Sequence, residues 1–121
     1  MKYDENRPIY QQIVEQIEYW IISNHWQQDQ KIPSVRQLAE ELEVNPTTIQ
    51  RAYSILEQEG ILTSQRGIGK FVTNKATKIT DLRLRLIEAQ VELFITQLQK
   101  LRLTQQETEQ IIVQIERVGN E

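Results

Sequence analysis

Four polar side chains that could read bases or hold phosphates share one face of a helix predicted to follow Asn45. The four residues on this outward face are Thr47, Gln50, Arg51 and Ser54. Arginine pairs well with guanine and glutamine with adenine, whereas a hydroxyl can bind a base edge or a phosphate. None of the four is acidic, although a merely solvated face typically carries glutamate and lysine. The pattern therefore favours contact with a nucleic acid over simple solvation.

Further cations flank this helix in the sequence. Arg36 lies in the first turn of the preceding predicted helix, where a cation opposes the helix dipole, so an external anion would explain its placement. Arg66 and Lys70 lie on either side of a short loop. Its glycines, Gly67 and Gly69, permit close backbone approach, and the cations suit phosphates or a narrow minor groove. Both signals are weak alone, because exposed arginines and glycine-containing turns are common.

Three short helices are predicted to position these side chains, and each has a recognisable start. The first begins near Pro8, with Asn6 as its cap. The second opens with Ser34–Gln37, which has the form of a capping box. The third opens with Asn45 as cap and Pro46 at the first helical position. Apolar residues three and four apart give each helix one inward face.

The hydrophobic spacing changes after residue 60. Residues 61–64 and 70–73 are short β-prone runs on either side of the glycine-containing loop, which predicts a hairpin. Residues 74–78 then form a short polar linker. The predicted fold is therefore mainly α, with three helices and a β-hairpin followed by a tail of two antiparallel helices.

The last third of the chain carries a heptad pattern on a long predicted helix. Apolar residues spaced three and four apart form the heptad seam: Leu84, Ile87, Val91, Phe94, Leu98 and Leu101. Thr104 and Glu107 form a second capping box, and Ile111 and Ile115 lie on the apolar face of the final helix. Two helices cannot enclose both stripes, so they either fold back on the first block or pair with a second copy. Pairing is favoured, with the heptad seam, Ile111 and Ile115 as the dimer interface.

Composition excludes several functional classes. The 121 residues include no cysteine and one histidine, His25, so thiolate chemistry is excluded and a metal site is not expected. Ser34 is explained as a helix cap, and no histidine–aspartate arrangement accompanies it, so we expect neither an enzyme nor a bound cofactor. No apolar run approaches the roughly 18 residues of a membrane span. The expected location is the cytoplasm.

The net charge of −3 argues against a nucleic-acid binder, because such domains are usually basic. The charges are unevenly distributed, however. Residues 44–78 contain five bases and two acids, whereas the acidity lies in the first two helices and the tail. A local positive excess at the predicted helix and hairpin fits a small number of phosphate contacts and a modest dependence of affinity on salt.

Five ordered blocks of the sequence closely resemble the GntR family of bacterial transcription regulators. These blocks are Pro8–Ile13, Ile32–Ala39, Val44–Tyr53, Leu56–Leu62 and Arg66–Val72. The resemblance covers about residues 7–73 and implies a winged helix-turn-helix, in which the second helix of a pair enters the DNA major groove. The remaining residues resemble the short two-helix tail of the YtrA-type branch, which implies dimerisation.

The resemblance also implies which residues contact DNA. The implied contacts are Arg36, Asn45, Thr47, Thr48, Gln50, Arg51, Arg66, Gly67, Gly69 and Lys70. The chain departs from the family at Asn24 and Asp29, where glycine is usual, but both residue types tolerate left-handed backbone conformations. Arg102 also replaces a common glycine between the tail helices, which leaves the geometry of that turn less defined.

These observations predict a DNA-binding domain over residues 1–75 and a dimerisation region over residues 76–121. The predicted function is a homodimeric repressor that binds a palindromic, inverted-repeat operator in double-stranded DNA, with a transporter operon as the expected target. One alternative is a winged-helix interaction module without DNA binding, whose outward face at residues 47–54 should be acidic or apolar. Another is a ligand-gated sensor whose unknown small-molecule effector binds near Trp26 or the tail.

Overall fold

The computed structural model describes residues 2–120 and contains five helices and a two-stranded antiparallel sheet. In chain order the elements are α1 (Ile9–Ile22), α2 (Val35–Leu42), α3 (Pro46–Gln58), β1 (Leu62–Gln65), β2 (Gly69–Val72), α4 (Ala76–Lys100) and α5 (Gln105–Gly119). The mainly α fold predicted from the sequence is confirmed. The chain divides into two compact units, the first ending at Leu84 and the second beginning at Arg85, and this division lies inside α4.

The first unit encloses a core built from α1, α2 and α3. The core side chains with 0% exposure on these helices are Ile13, Ile17, Leu38, Ile49, Ala52, Tyr53 and Leu56. They occupy the inward positions expected from the helical spacing, and their burial determines which face of α3 points to solvent. Leu82 of α4 is also buried, so the first turns of α4 belong to this unit.

The start of α1 differs from its prediction. Pro8 occupies the capping position with an extended backbone (φ −56°, ψ 137°) and no side-chain hydrogen bond, so Asn6 is not the cap. The buried Gln12 stabilises this end instead. Its side chain accepts a hydrogen bond from the Asp4 N–H and donates one to the Asp4 carbonyl, each 2.7 Å long. Asn6 is drawn into the same turn, since its N–H donates to the Asp4 carboxylate at 2.9 Å.

The next two helices start as predicted. Ser34 Oγ accepts a hydrogen bond from the Gln37 N–H at 3.1 Å, and Gln37 Oε1 accepts one from the Ser34 N–H at 2.9 Å. Asn45 Oδ1 accepts from the Thr47 N–H at 2.9 Å, and Pro46 is the first helical residue. These caps satisfy N–H groups that a helix start otherwise leaves unpaired, so local sequence determines where both helices begin.

Four residues other than glycine adopt left-handed backbone angles within residues 2–120. Asn24 (φ 63°) and Asp29 (φ 66°) do so between α1 and α2, which confirms that they can replace glycine in that connection. Glu43 (φ 56°) ends α2 and turns the chain toward α3. Arg102 (φ 60°) keeps the left-handed geometry between α4 and α5 without a glycine.

The hairpin is shifted by one residue from its predicted limits on both strands. The paired residues are Leu62 with Val72, Thr63 with Phe71, Ser64 with Lys70, and Gln65 with Gly69. β1 starts later because the Ile61 N–H is used to end α3, bonding to the Leu56 carbonyl at 2.9 Å. Residues 30–32 lie along the side of β2 that faces away from β1, and an isolated bridge joins Lys31 to Phe71.

The linker after the hairpin is shorter than predicted. The sequence assigned residues 74–78 to a polar linker, but α4 already begins at Ala76. Thr73 Oγ1 accepts a hydrogen bond from the Lys75 N–H at 3.1 Å, and the Lys78 N–H bonds to the Lys75 carbonyl at 3.0 Å. The first turn of α4 therefore lies within the segment that was predicted as a linker, although that segment is mainly polar.

The second unit contains the rest of α4 together with α5. The predicted capping box of Thr104 and Glu107 is present at the start of α5. α4 ends at Lys100, and the Leu101 N–H bonds to the Leu98 carbonyl at 3.0 Å within the following turn. The last residue of the predicted heptad seam therefore lies just beyond the helix.

Candidate nucleic-acid interface

The exposed face of α3 carries the side chains expected to read bases. Because α3 buries its apolar stripe, it exposes the four polar residues Thr47, Gln50, Arg51 and Ser54. Gln50 Nε2 donates a hydrogen bond to Ser54 Oγ at 3.3 Å, which aligns these two side chains along the helix. The structure thus brings the four residues together on one accessible surface, and their contact with DNA stays a prediction.

The two other predicted contacts at the start of α3 are less accessible. Asn45 is exposed, but its side-chain oxygen is used in the helix cap. Thr48 is half-buried. A contact from Asn45 therefore has to come from the amide nitrogen, unless the cap is broken.

Arg51 does not extend freely into solvent. Its guanidinium carbon lies 3.7 Å from the centre of the Tyr10 ring, a cation–π contact between α3 and α1. Tyr10 is half-buried at the start of α1, and its hydroxyl accepts a hydrogen bond from Gln11 Nε2 at 3.2 Å. Sequence reasoning missed Tyr10, because no spacing rule connects α1 to the outward face of α3.

A buried tyrosine positions α2 against α3. The Tyr53 hydroxyl donates a hydrogen bond to the Pro33 carbonyl at 2.8 Å. Burial raises the pKa of Tyr53 and the charge of Glu41 raises it further, so the hydroxyl keeps its proton and remains a donor. The loop before α2 is thereby held against α3. Arg36 is exposed in the first turn of α2, so this contact also fixes its position relative to the outward face of α3.

The hairpin loop presents Arg66 as an exposed cation. Gly67 (φ 80°) and Gly69 (φ 144°) have backbone angles that favour glycine, as expected for this turn. A Cβ atom at Gly69 would lie 2.9 Å from Lys31 Cε, so a larger residue would also displace Lys31. Arg36 and Arg66 form no ion pair with any side chain in residues 2–120.

Lys70 is more constrained than the sequence indicates. Its ammonium forms an ion pair with the Glu57 carboxylate and a hydrogen bond with Ser64 Oγ at 3.1 Å. Ser64 Oγ donates in turn to Glu57 Oε1 at 3.0 Å. This network joins the hairpin to α3, so a phosphate would have to compete with Glu57 for Lys70. The phosphate contact of Lys70 stays a prediction.

Lys31 is a further cation that sequence reasoning did not single out. It lines a groove of about 280 Å³ between the start of α2 and the hairpin. The other polar side chains in this groove are Ser34, Gln37 and Lys70. Lys31 directly precedes the Ile32–Ala39 block, and its position beside the hairpin could have been found only from the pairing of residues 30–32 with β2.

Three further features of residues 2–120 concern a ligand pocket, a metal site and a membrane span. Trp26, suggested as part of a ligand pocket, is buried with its ring centre 5.2 Å from that of Trp20. No cluster of three or more metal-ligating side chains occurs within residues 2–120. Over the same residues, no helix combines the length and apolar character that crossing a bilayer requires.

The fold and this surface together define a class of protein. α2 and α3 form a helix-turn-helix, α3 exposes a polar face, and the following hairpin carries a further cation. This arrangement is a winged helix-turn-helix, whose second helix enters the major groove of DNA and whose hairpin is the wing.

The chain belongs to the GntR family. Residues 9–72 match the family described as "Bacterial regulatory proteins, gntR family". The HTH-type transcriptional repressor YtrA of Bacillus subtilis is 35% identical over 73% of this chain and 68% of its own length. This similarity extends beyond the winged helix and confirms the predicted relationship to YtrA-type regulators.

Two solved structures support the same assignment. A GntR family transcriptional regulator from Listeria monocytogenes is 39% identical, with a TM-score of 0.85 over 95% of this chain and 98% of its own. The structure of AraR(DBD) in complex with operator ORR3 is 34% identical, with a TM-score of 0.54 over 60% of this chain and 88% of its own. The chain is therefore a DNA-binding transcription regulator, and the alternative of an interaction module without DNA binding is not supported.

Proposed function

We propose that the chain is a homodimeric repressor that binds an inverted-repeat operator. The observation that carries this proposal is the unburied apolar surface of the second unit. Phe94 of α4 is 43% exposed, Val91 48%, and Ile115 of α5 59%. Side chains of this kind gain about 25 cal/mol for each Å² removed from water, so a second copy of the same surface is a suitable partner.

The shape of the second unit supports this pairing. A groove of about 450 Å³ lies between α4 and α5. Its lining is mainly apolar and consists of Phe94, Ile111, Gln114, Ile115 and Val118. A helix of the partner can fill such a groove and complete a bundle of four helices. The heptad seam and α5 would then face the matching helices of the partner.

A two-fold axis through this bundle has a consequence for the DNA. The two copies of α3 would enter successive major grooves on one side of the duplex, with half-sites about 10 base pairs apart. Gln50 and Thr47 would read base edges, whereas Arg36 and Arg66 would bind phosphates. Arg51, with its planar guanidinium, could serve either purpose. The exposure of these side chains supports the assignment.

The family also supports proposals about activity, cellular location and the regulated genes. The relatives are transcriptional regulators rather than enzymes, so we propose no enzymatic activity and no cofactor for this chain. A protein that binds the bacterial chromosome acts in the cytoplasm. YtrA of Bacillus subtilis is a transcriptional repressor, which supports repression here. A transporter operon that includes the regulator's own gene is the proposed target.

The proposal is tested by footprinting the purified full-length chain on the DNA upstream of its own gene. We expect a protected inverted repeat, and an affinity that falls as salt rises with a modest slope, because few phosphates are neutralised. A duplex of equal length with one half-site scrambled is the control, and it should bind much more weakly. Absence of a protected repeat, or binding that ignores salt, would refute the proposal.

A further inference from the structure

The outward face of α3 is supported differently on its two flanks. On one flank, Glu57 holds Lys70 of the hairpin. On the other flank, the Arg51 guanidinium lies 3.7 Å from the centre of the Tyr10 ring, which belongs to α1. Because α1 and α3 are joined through the buried core, the ring of Tyr10 is a rigid platform for an otherwise exposed side chain.

We infer that Tyr10 is a positioning residue that holds Arg51 ready for DNA, an inference that rests on the proposed function. Arg51 is the cation of the α3 face, and Tyr10 gives it a defined place before DNA arrives. Tyr10 acts through Arg51 and needs no DNA contact of its own. Tyr10 lies in the Pro8–Ile13 block, but it is not among the DNA contacts that the family resemblance implies.

The chemistry of guanidinium allows both contacts at once. Its five N–H groups lie in the plane of the group and point outward from its edge, whereas an aromatic ring is attracted to the flat face. A guanidinium over Tyr10 therefore keeps its N–H groups available for a phosphate or a guanine edge. A lysine could not do this, because its compact ammonium has no separate face and edge.

Tyr10 strengthens operator binding because the Arg51 side chain loses less conformational freedom when it binds DNA. A free arginine side chain has many accessible rotamers, and part of this freedom is lost when the side chain is fixed on DNA. Arg51 has already lost part of that freedom in the unbound protein, through its contact with Tyr10. Removal of the ring should weaken operator binding about twofold to fivefold, which is the strength of an exposed cation–π contact.

The experiment measures operator affinity for variants of the full-length chain. Tyr10→Leu removes the ring and Tyr10→Phe keeps it, so we expect weakened binding from the first and near-normal binding from the second. Tyr19→Leu is the matched control, because Tyr19 lies on the same helix and is 64% exposed. Each variant is also made with Arg51→Ala. In that background, Tyr10→Leu should cause no additional loss.

Several outcomes would overturn the inference. One such outcome is that Tyr10→Phe weakens operator binding as much as Tyr10→Leu does. Another is that Tyr10→Leu lowers operator affinity by the same factor in the Arg51→Ala background as in the unaltered protein. Either result would show that Tyr10 does not act through Arg51. If Tyr10→Leu lowers the melting temperature strongly, trifluorophenylalanine at position 10 replaces it, because fluorination weakens the attraction of the ring for a cation with little change of shape. Affinity equal to that of Tyr10→Phe would then refute the inference. Failure of the unaltered protein to bind any operator would instead refute the proposed function.

Discussion

Both units of the chain carry apolar stripes on their helices, yet they bury these stripes to very different extents. In the first unit Ile17 and Ile49 have 0% exposure, whereas in the second unit Phe94 and Ile115 keep 43% and 59%. Three helices, a hairpin and the first turns of α4 suffice to enclose a core, but two helices form a single layer and need another layer against them. The first unit is therefore complete as one chain, and the second is not.

This difference separates the two parts of the function. In the proposed function, base selection depends on α3, which is held in place by the closed core of the first unit. The proposed pairing would depend on the open apolar surface of the second unit, and the stability of the dimer should rise with protein concentration. Substitutions in the second unit should thus leave base preference unaffected, and substitutions on the outward face of α3 should leave dimerisation unaffected.

The largest effect is expected from a charge placed in the heptad seam. Phe94→Asp, or Val91→Asp, should dissociate the dimer, because a carboxylate would be buried without a partner. Operator affinity should fall about 10²- to 10⁴-fold, since the two half-sites are then bound independently. Sedimentation gives the oligomeric state, and a binding titration gives the affinity.

Thr96→Asp is the control for this prediction. Thr96 is exposed on α4 about 200° around the helix from Phe94, so it adds the same charge away from the seam. It should leave the dimer intact. A stable Phe94→Asp dimer would show that the seam is not the interface and that the exposed apolar surface of the second unit does not serve pairing.

A smaller effect is expected from two substitutions in the first unit. Gln50→Ala should reduce the free-energy difference between the preferred base and its alternatives, at one base pair of each half-site, by about 1–3 kcal/mol. Arg66→Ala should instead weaken binding to all sequences alike and reduce the salt slope by about one. Arg66 is a better test than Lys70, because removal of Lys70 would also release Glu57.

Affinities for a series of single-base operator variants, measured at several salt concentrations, distinguish these two roles. Both variants should remain dimers in sedimentation. If Gln50→Ala and Arg66→Ala lost affinity uniformly across the series, the division between base reading and phosphate binding would be wrong.

The sequence predicts those parts of the structure that depend on residues a few positions apart. The cap of Ser34 by Gln37 and that of Thr104 by Glu107 lie within one helical turn, so each motif contains all of its own partners. The outward face of α3 follows from helical periodicity in the same way. Asn6 failed as a cap because Pro8 and the more distant Gln12 determine that turn instead.

Contacts between elements could not be predicted in this way. The contact of Tyr10 with Arg51 depends on how α1 packs against α3, and the pair of Glu57 and Lys70 depends on where the hairpin lies against α3. Neither arrangement leaves a periodic signal. The candidate site was therefore predicted as a set of exposed residues, and their supporting partners became visible only in the structure.

The smallest effect concerns acid, and it follows from the capping boxes of the two units. The box of the first unit uses Gln37, which does not titrate, whereas that of the second uses Glu107. Hydrogen bonds from the backbone N–H and then the hydroxyl of Thr104 lower the pKa of Glu107. A lowered pKa in the folded state means that ionised Glu107 stabilises α5 above the ordinary glutamate pKa, about 4.3.

This stabilisation should be lost as the pH falls through the lower pKa of the folded state. Acid should therefore weaken the second unit through its cap, while the cap of the first unit is unaffected. Melting curves followed by circular dichroism between pH 7 and pH 3, compared for the unaltered chain and Glu107→Gln, isolate this contribution from the other carboxylates. Glutamine keeps an acceptor at the cap without a titrating group, so the variant should lose less stability in acid. Identical pH dependence of the two proteins would mean that the cap of α5 does not contribute to the acid sensitivity of the second unit.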